Sequence, residues 1–461
     1  MSIKFEDIYY KLPVFFQNWA VSALGLKLKK ERFTLAGEKM LESLMRSQAF
    51  SNNQMWQYQD AEFSNIAKHT INTTQFYRNW ANENKIDPNA ITGLKDLALF
   101  PVIEKNFLRE NSDLFRSNDP GLSKKQFCLH TSGTTGTPLT VWTDKDSRSR
   151  HYAFFSRLRA EYGVSSNDKR ATLFGRIIMP ASQTKPPFWR YDFFQKNLLM
   201  SSYHLNEKNL AHYYNKLASY KPAEIFAYPS SIYAIAEYIV KHSLTPLSLK
   251  LIMTTAENLL PHQKEMIERA FQAPVVNQYG CTEMAFFCSE FSDGLMKFHP
   301  EHGIAEVRDQ SGNISAEGSG ELIATGFINW SMPVIRYAVG DQVLLTGRDS
   351  KGKQILGDVA GRTDDVIYTL DGTPVGRLDP IFKGGNGIKC AQIVQSESGA
   401  VDLRLVPDNF YTNQHGNALK HELIKRLGNE VEISITLLET IAKEKNGKFR
   451  PVISRFTRRA Q

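Results

Sequence analysis

From about residue 126 onward, short apolar runs alternate with longer segments in which apolar residues recur at helical spacing. The apolar runs are residues 171–175, 224–228, 249–254 and 273–277, and the helix-like segments are residues 206–219 and 231–242. Strands that alternate with helices pair in parallel sheets covered by those helices, so the pattern predicts a layered α/β domain. The preceding residues, 1 to about 120, are predicted to be largely helical.

The second half of the chain has a different pattern of apolar residues. After Gly303 the apolar runs shorten and Gly and Asp interrupt them, at residues 304–307, 320–324 and 342–345, which predicts a β-rich subdomain. The last hundred residues contain two strand candidates and one helix candidate, at residues 391–395, 401–406 and 416–427. We therefore expect two domains, residues 1–361 and 362–461, with the boundary near residues 361–365.

Composition narrows the class of protein. Hydrophobic residues make up 42% and charged residues 23% of the 461 residues, as in ordinary globular enzymes. The four cysteines are widely spaced, which argues against a disulfide framework, and the acidic start is unlike a signal peptide, so we expect a cytoplasmic protein. The net charge is +8, but no basic block is interleaved with aromatic residues, so we expect no nucleic-acid partner.

An apolar stretch lies near the N-terminus, at residues 12–26. Proline and polar residues at positions 13, 17, 18 and 22 interrupt it, so it is not expected to span a bilayer. We expect a buried N-terminal helix, and peripheral membrane contact through Phe15, Phe16 and Trp19 is the alternative.

A run of hydroxyl and glycine residues follows the apolar-containing segment 126–129. It consists of Thr131, Ser132, Gly133, Thr134, Thr135 and Gly136. Glycine permits positive φ and close backbone approach, so the amide and hydroxyl donors of such a loop can converge on phosphate oxygens. A Walker A loop would continue with Lys, whereas Thr137 and Pro138 stand here, which argues against the phosphoryl-transfer NTPases.

Four further motifs follow in order: residues 277–283 (Asn-Gln-Tyr-Gly-Cys-Thr-Glu), 333–341 (Pro-Val-Ile-Arg-Tyr-Ala-Val-Gly-Asp), 361–365 (Gly-Arg-Thr-Asp-Asp) and 446–450 (Asn-Gly-Lys-Phe-Arg). With the loop, this set resembles the adenylate-forming (ANL) superfamily, and within it the phenylacetate-CoA ligase branch. The C-terminal motif and the loop ending at residues 136–139 resemble the CapK-type members of that branch. The resemblance implies a large N-terminal adenylate-forming domain and a small mobile α+β C-terminal lid domain.

The resemblance also implies a nucleotide site. The loop from Thr131 to Gly136 would hold the β- and γ-phosphates of ATP, and Tyr279, followed by Gly280, would lie against the adenine. Asp341 would accept hydrogen bonds from the ribose hydroxyls, and Arg362 would bind ribose or phosphate as a permanently charged donor.

Catalytic roles follow from the same resemblance. Lys448 would enter with the C-terminal domain and bridge the substrate carboxylate and the α-phosphate, and Asp364 would be the hinge for that rotation. Thr282 would bond the α-phosphate, and Glu283 would hold Mg²⁺, a cation that prefers oxygen ligands.

The acid substrate is expected near two further segments. Tyr228, Ser230, Ala256 and Glu257 occupy positions that flank the carboxylate substrate and the adenine in the family. The chain departs from the family twice, because Thr137 replaces a common lysine and residues 369–376 lack the Arg-Gly-x-Asn-like segment of the CoA ligases. The second departure makes CoA a doubtful acceptor.

The sequence thus predicts ATP-dependent adenylation of a small carboxylic acid, followed by acyl transfer to an amine or sugar acceptor in surface-polysaccharide biosynthesis. An AMP-forming aryl- or acyl-CoA ligase is the alternative enzyme, and a nucleotide-binding scaffold is the non-enzymatic alternative. A structural zinc held by Cys281, Cys288, His299 and His302 is a further alternative, although no CxxC or HxxxH pair is present.

Overall fold

The structure is a computed structural model that describes residues 5–131, 139–174, 178–180, 183–362, 367–370, 374–375, 387–428, 430–442 and 449–456. Its α-helices are α1 (Phe5–Lys11), α2 (Val14–Arg32), α3 (Leu35–Ser47), α4 (Asn52–Thr73), α5 (Gln75–Glu83), α6 (Lys105–Glu110), α7 (Lys145–Glu161), α8 (Glu207–Tyr220), α9 (Pro229–Lys241), α10 (Pro261–Phe271) and α11 (Asn413–Leu427). Short 3₁₀ turns lie at Pro88–Ala90, Leu94–Leu99, Ser112–Phe115 and Ser123–Lys125. The prediction of a largely helical first 120 residues is confirmed.

The strands are β1 (Phe127–His130), β2 (Thr140–Thr143), β3 (Arg170–Phe174), β4 (Trp189–Asp192), β5 (Asn197–Ser201), β6 (Glu224–Ala227), β7 (Leu251–Thr255), β8 (Val275–Gly280), β9 (Phe287–Glu290), β10 (Met296–Phe298), β11 (Gly303–Arg308), β12 (Ile314–Ser315), β13 (Gly318–Gly326), β14 (Tyr337–Arg348), β15 (Gln354–Arg362), β16 (Ile367–Tyr368), β17 (Pro374–Val375), β18 (Ile388–Gln395), β19 (Val401–Pro407), β20 (Ile433–Leu437) and β21 (Val452–Ser454).

One long mixed sheet organises the larger part of the chain, in the order β12-β11-β13-β14-β15-β10-β9-β8-β7-β6-β3-β5-β4. The neighbours β5, β3, β6, β7 and β8 pair in parallel, which confirms the predicted α/β layer. The β-rich segment is continuous with this layer, because β8 pairs antiparallel with β9 and β10 pairs with β15.

Helices cover the sheet and bury its apolar side chains. Helices α8, α9 and α10 pack on the parallel strands, with Tyr213, Ile232 and Ile267 in the contact. Helices α4 and α5 close a second core against the antiparallel strands, in which Phe63 and Tyr77 are fully buried. The continuous runs of buried residues in β6 and β7 are typical of strands covered on both faces.

Helix α2 packs in the opposite sense to the prediction. Its buried positions are polar or small, Gln17, Ser22 and Gly25 among them, while Phe15 (61% exposed), Phe16 (55%) and Trp19 (49%) face outward. The expectation that these aromatic residues are buried is therefore wrong. The helix lies beside the edge strand β4, whose unpaired backbone groups need polar partners, so polar residues take the inner face.

The C-terminal segment forms a separate four-stranded sheet in the order β20-β19-β18-β21, and α11 packs on it with Leu419 and Leu423. The predicted strands and helix of this α+β unit are present. The predicted boundary falls at the end of β15 and on residues 363–366, which lie outside the described residues, so it stays a prediction.

Candidate active site

Three neighbouring parallel strands, β6, β7 and β8, bring the predicted substrate and phosphate residues together. The carboxyl ends of parallel strands share one edge of the sheet, which is where open α/β sheets bind ligands. The residues that follow these strands are Tyr228 and Ser230 after β6, Ala256 and Glu257 after β7, and Thr282 and Glu283 after β8. Sequence positions separated by about 50 residues therefore meet at one edge.

The predicted adenine and ribose residues form a direct pair. The Tyr279 hydroxyl donates to Oδ2 of Asp341 over 2.6 Å, and the Tyr279 ring lies 4.7 Å from that of Phe286. Burial, and then the Asp341 carboxylate, raises the pKa of Tyr279 well above its ordinary value, so the phenol remains a donor. The hydrogen bond fixes Asp341 beside the half-buried face of Tyr279.

A second tyrosine holds the predicted magnesium ligand. Tyr337, the first residue of β14, donates from its hydroxyl to Oε1 of Glu283 over 2.8 Å. Tyr337 is fully buried and Glu283 is 5% exposed. Burial, and then the Glu283 carboxylate, raises the pKa of Tyr337 well above its ordinary value. Tyr337 belongs to the motif at residues 333–341, but the sequence alone predicts no role for it; its position four residues before Asp341 is the signal that points to the site.

The remaining nucleotide candidates cluster around these two pairs. Arg362, the last residue of β15, lies directly opposite Asp341 in the antiparallel register of β14 and β15. Gly280 ends β8 between Tyr279 and the Thr282–Glu283 turn, and a Cβ there would lie 2.8 Å from the Gln278 amide nitrogen. Thr282 is half-buried in that turn.

Strained backbone marks the same region. Ala256, Met284 and Arg336 adopt positive φ (68°, 58° and 52°), which is costly for residues with a Cβ. Each adjoins a motif residue: Ala256 precedes Glu257, Met284 follows Glu283, and Arg336 precedes Tyr337. Such strain persists only where the surroundings over-determine it, and it concentrates at functional sites.

The hydroxyl- and glycine-rich loop connects β1 to β2. Thr131 donates its backbone N–H to the Leu139 carbonyl over 3.1 Å, and its side-chain hydroxyl accepts from the Leu139 N–H over 3.0 Å. These bonds close the base of the hairpin. Five predicted loop residues, Ser132, Gly133, Thr134, Thr135 and Gly136, lie outside the described residues, as do Asp364 and Lys448.

Glu257 joins the C-terminal segment to the central sheet. Its carboxylate accepts hydrogen bonds from the backbone N–H of Ser230 (3.0 Å), from the Ser230 hydroxyl (3.2 Å) and from the backbone N–H of Phe449 (2.9 Å). Phe449 directly follows Lys448 in the sequence. The structure therefore brings the C-terminal motif to the predicted substrate residues.

Helix α9 carries a second contact with the C-terminal unit. The Lys389 ammonium lies 2.9 Å from the Glu237 carboxylate, and both side chains are about one-third exposed. Ser230, which donates to Glu257, is at the start of this helix, and Glu237 is two turns later, so α9 carries both the partner of Glu257 and this ion pair.

Tyr228 gives the site an apolar wall. It is 8% exposed, and its ring lies 5.1 Å from that of Phe174 at the end of β3. Ala256, by contrast, is exposed.

The residues of the zinc alternative have other partners. The Nε2 atom of His299 lies 2.7 Å from the Ser289 hydroxyl, and Nε2 of His302 lies 3.0 Å from Nδ1 of His151. Burial raises the pKa of the Cys288 thiol well above its usual range. Within the part of the chain that the structure describes, no group of three or more His, Cys, Asp or Glu side chains is arranged to hold a metal.

The chain is similar to known proteins in sequence and in fold. The family model of the CapK C-terminal domain matches residues 367–455. Protein CapK of Staphylococcus aureus is 29% identical to this chain, over 97% of this chain and 98% of CapK. Phenylacetate-coenzyme A ligase of Pseudomonas putida is 26% identical, over 65% of this chain and 69% of the ligase. A 2-hydroxyisobutyryl-CoA ligase, solved in the postadenylation state with an adenylate, superposes with a TM-score of 0.64 at 19% identity, over 88% of this chain and 90% of that one.

Proposed function

We propose that this chain, which belongs to the adenylate-forming superfamily and to its phenylacetate-coenzyme A ligase branch, activates a small carboxylic acid with ATP. A substrate carboxylate oxygen attacks the α-phosphorus, the bond to the pyrophosphate oxygen breaks, and an acyl-adenylate and pyrophosphate form. An acceptor nucleophile then attacks the acyl carbon and releases AMP. The observation that carries the proposal is the Phe449–Glu257 contact, because it joins the lysine motif to the substrate residues.

The residues at the sheet edge fit a nucleotide. Tyr279 fixes Asp341, a carboxylate acceptor, and the register of β14 and β15 pairs Asp341 with the position of Arg362, a residue type that supplies guanidinium donors. That donor set suits ribose hydroxyls and phosphate oxygens. The half-buried ring of Tyr279, which lies tilted against the ring of Phe286, suits the adenine face. The Thr131–Leu139 hydrogen bonds join the described residues on either side of the glycine-rich loop, and the amide and hydroxyl donors of that loop suit the departing pyrophosphate.

Glu283 fits Mg²⁺ by the chemistry of its donor atoms. Its carboxylate is almost fully buried, and a buried carboxylate needs a compensating charge or donors. Tyr337 supplies one donor at Oε1. When bound, Mg²⁺ neutralises phosphate charge during attack. We assign Glu283 as its protein ligand and Tyr337 as the residue that orients Glu283.

Lys448 is the proposed catalytic cation. Adenylation needs charge neutralisation and in-line positioning more than it needs an acid or base, and a flexible ammonium delivered by a moving domain supplies both. Glu257 receives the neighbouring Phe449 N–H and so acts as a positioning residue for the C-terminal segment. Asp364 is the proposed hinge, between domains 1–361 and 362–461.

The acceptor separates two versions of the proposal. The first version, implied by the CapK-type resemblance of the sequence motifs, is transfer to an amine or sugar acceptor in surface-polysaccharide biosynthesis, as a cytoplasmic step. The similarity to phenylacetate-coenzyme A ligases supports CoA as the acceptor instead.

Exchange of labelled pyrophosphate into ATP, measured with a panel of carboxylic acids, tests both versions. At least one acid is expected to support exchange, and exchange with none would refute both. AMP release that depends on CoA would then favour the CoA ligase, and release that depends on an amine or sugar would favour the other version.

The variant Lys448→Ala is expected to lose at least about a hundredfold in exchange while its ATP affinity, measured by calorimetry, stays unchanged. Lys445→Ala removes a lysine of the same run and is the matched control, with wild-type exchange expected. Equal exchange in Lys448→Ala and wild type would contradict the assigned role.

A further inference from the structure

We propose that the outward face of α2 and the adjoining turn after β4 form a docking surface for an anionic phospholipid membrane. The surface, called the aromatic patch below, consists of Phe15, Phe16, Trp19, Phe193 and Phe194, all between 41% and 61% exposed. It lies apart from the residues of the proposed active site, and its role does not depend on which acid or acceptor is used.

The inner face of α2 makes polar contacts with the edge strand that do not involve the side chains of the patch. Asn18 accepts from the Tyr191 N–H over 2.9 Å, and the Ser22 hydroxyl accepts from the Phe193 N–H over 2.9 Å. Gly25 lets the helix approach closely, because a Cβ there would lie 1.8 Å from an Asp192 carboxylate oxygen. Polar contacts therefore hold the helix against the edge strand β4.

The exposed aromatic side chains contact one another. The Trp19 ring lies 5.4 Å from that of Phe193 and 6.5 Å from that of Phe15, and the Phe15 ring lies 5.5 Å from that of Phe16. Isolated exposed apolar residues are common on soluble proteins, but a contiguous aromatic patch marks an interaction surface. Trp and Phe favour the boundary between lipid headgroups and acyl chains.

The charged residues around the aromatic patch indicate an anionic partner. At helical spacing Phe16 and Trp19 share a stripe with Lys27 and Lys30, and both lysines are exposed. Among residues 8–32 the one acidic side chain is Glu31, which is buried and paired with Arg148 at 2.7 Å. Residues 183–200 likewise contain one acid, the buried Asp192, beside the exposed Lys185 and Lys196. The apolar patch therefore has a basic border without exposed acids on its own segments, as an anionic lipid surface requires.

The geometry fits a helix that lies on a membrane. From Phe16 to Lys30 the stripe is about 21 Å long, so aromatic residues can enter the headgroup region while lysines meet the phosphates. No helix in the described ranges is long and apolar enough to cross a bilayer.

Vesicle flotation of the full chain tests the proposal. The wild type is expected to float with vesicles of phosphatidylcholine mixed with phosphatidylglycerol, to bind phosphatidylcholine alone more weakly, and to lose binding as salt rises. Phe16→Ser/Trp19→Ser is expected to bind at least about tenfold more weakly, and Lys27→Glu/Lys30→Glu about tenfold more weakly.

Phe410→Ser is the matched control, since Phe410 is an 80% exposed aromatic residue of the C-terminal unit, and it should float like the wild type. Circular dichroism melting establishes that each variant is folded. Absence of wild-type flotation, or equal flotation of Phe16→Ser/Trp19→Ser, would overturn the proposal. A dimer that this double variant dissociates, with no vesicle binding, would overturn it as well and assign the patch to a second copy of the chain.

Discussion

The hydrogen bond between Tyr337 and Glu283 makes a specific prediction about magnesium. Tyr337→Phe removes one oxygen and keeps the ring, so the packing of this fully buried side chain is preserved. What is lost is a 2.8 Å bond to a nearly buried carboxylate. Hydrogen bonds to charged groups contribute about 1.5–3 kcal/mol net.

That energy corresponds to a factor of roughly 10 to 150. We expect Tyr337→Phe to reduce kcat/KM for pyrophosphate exchange by this factor at low Mg²⁺, because Glu283 is no longer held in its orientation. High Mg²⁺ should restore part of the activity. Calorimetry of Mg²⁺–ATP binding should show a weaker affinity by a similar factor, which gives a readout independent of turnover.

Tyr77→Phe is the matched control. Tyr77 is also fully buried, and its hydroxyl donates to the Ile335 carbonyl over 3.1 Å and accepts from the Ile335 N–H over 3.0 Å, two residues from Tyr337. Loss of these two bonds should lower the free energy of unfolding by about 2 kcal/mol without changing the Mg²⁺ dependence. An unchanged Mg²⁺ dependence in Tyr337→Phe, or the same change in both variants, would refute the reasoning.

Two further predictions concern Glu257 and the buried histidines. Glu257→Gln weakens the acceptor of the Phe449 N–H, so pyrophosphate exchange should fall by roughly tenfold. The control Glu237→Gln removes only the partly exposed ion pair with Lys389 and should change exchange less than about threefold. Equal effects of the two variants would argue against Glu257 as the positioning residue. Burial lowers the pKa of His151, His299 and His302, so the folded chain keeps them neutral while the unfolded chain takes up protons below about pH 6.5. Arg148 beside His151 and Arg157 beside His299 act in the same direction. Each histidine should therefore reduce the free energy of unfolding by up to about 1.4 kcal/mol for each pH unit below about pH 6.5. Urea unfolding at about pH 7.5 and about pH 5.5 measures this loss, and an equal free energy of unfolding at both pH values would contradict the prediction.

The local pattern of apolar residues predicts the individual helices and strands better than it predicts how they are arranged. The runs at 171–175, 224–228 and 249–254 correspond to β3, β6 and β7, because buried parallel strands are continuous apolar segments. The continuity of the long sheet was not predictable in the same way. It depends on the pairing of Met296 with Leu356 between β10 and β15, about 60 residues apart, and periodicity carries no information on such distant partners.

In the candidate site, too, local motifs are predictable from the sequence and contacts between distant residues are not. Motif order predicted Tyr279, Glu283 and Asp341 as site residues, and in the structure Tyr279 bonds to Asp341 while Glu283 bonds to Tyr337 of the same strand, β14. The partner of Glu283 was not predicted, because Tyr337 is 54 residues away and a lone buried tyrosine is more often a core residue. Which acceptor each hydroxyl finds depends on how β8 and β14 approach each other.

Helix α2 shows why an apolar stretch does not by itself say which of its faces is buried. The rule that apolar residues face the core assumes that the neighbouring element offers an apolar surface. Here the neighbour is the edge of strand β4, whose backbone groups require hydrogen-bonding partners, and Asn18 and Ser22 supply them. The polar residues that interrupt the apolar stretch in the sequence are thus the ones that attach it to the protein. Since hydrogen bonds with the edge strand fix the orientation of the helix, Phe15, Phe16 and Trp19 are left facing solvent, where a lipid surface can reach them.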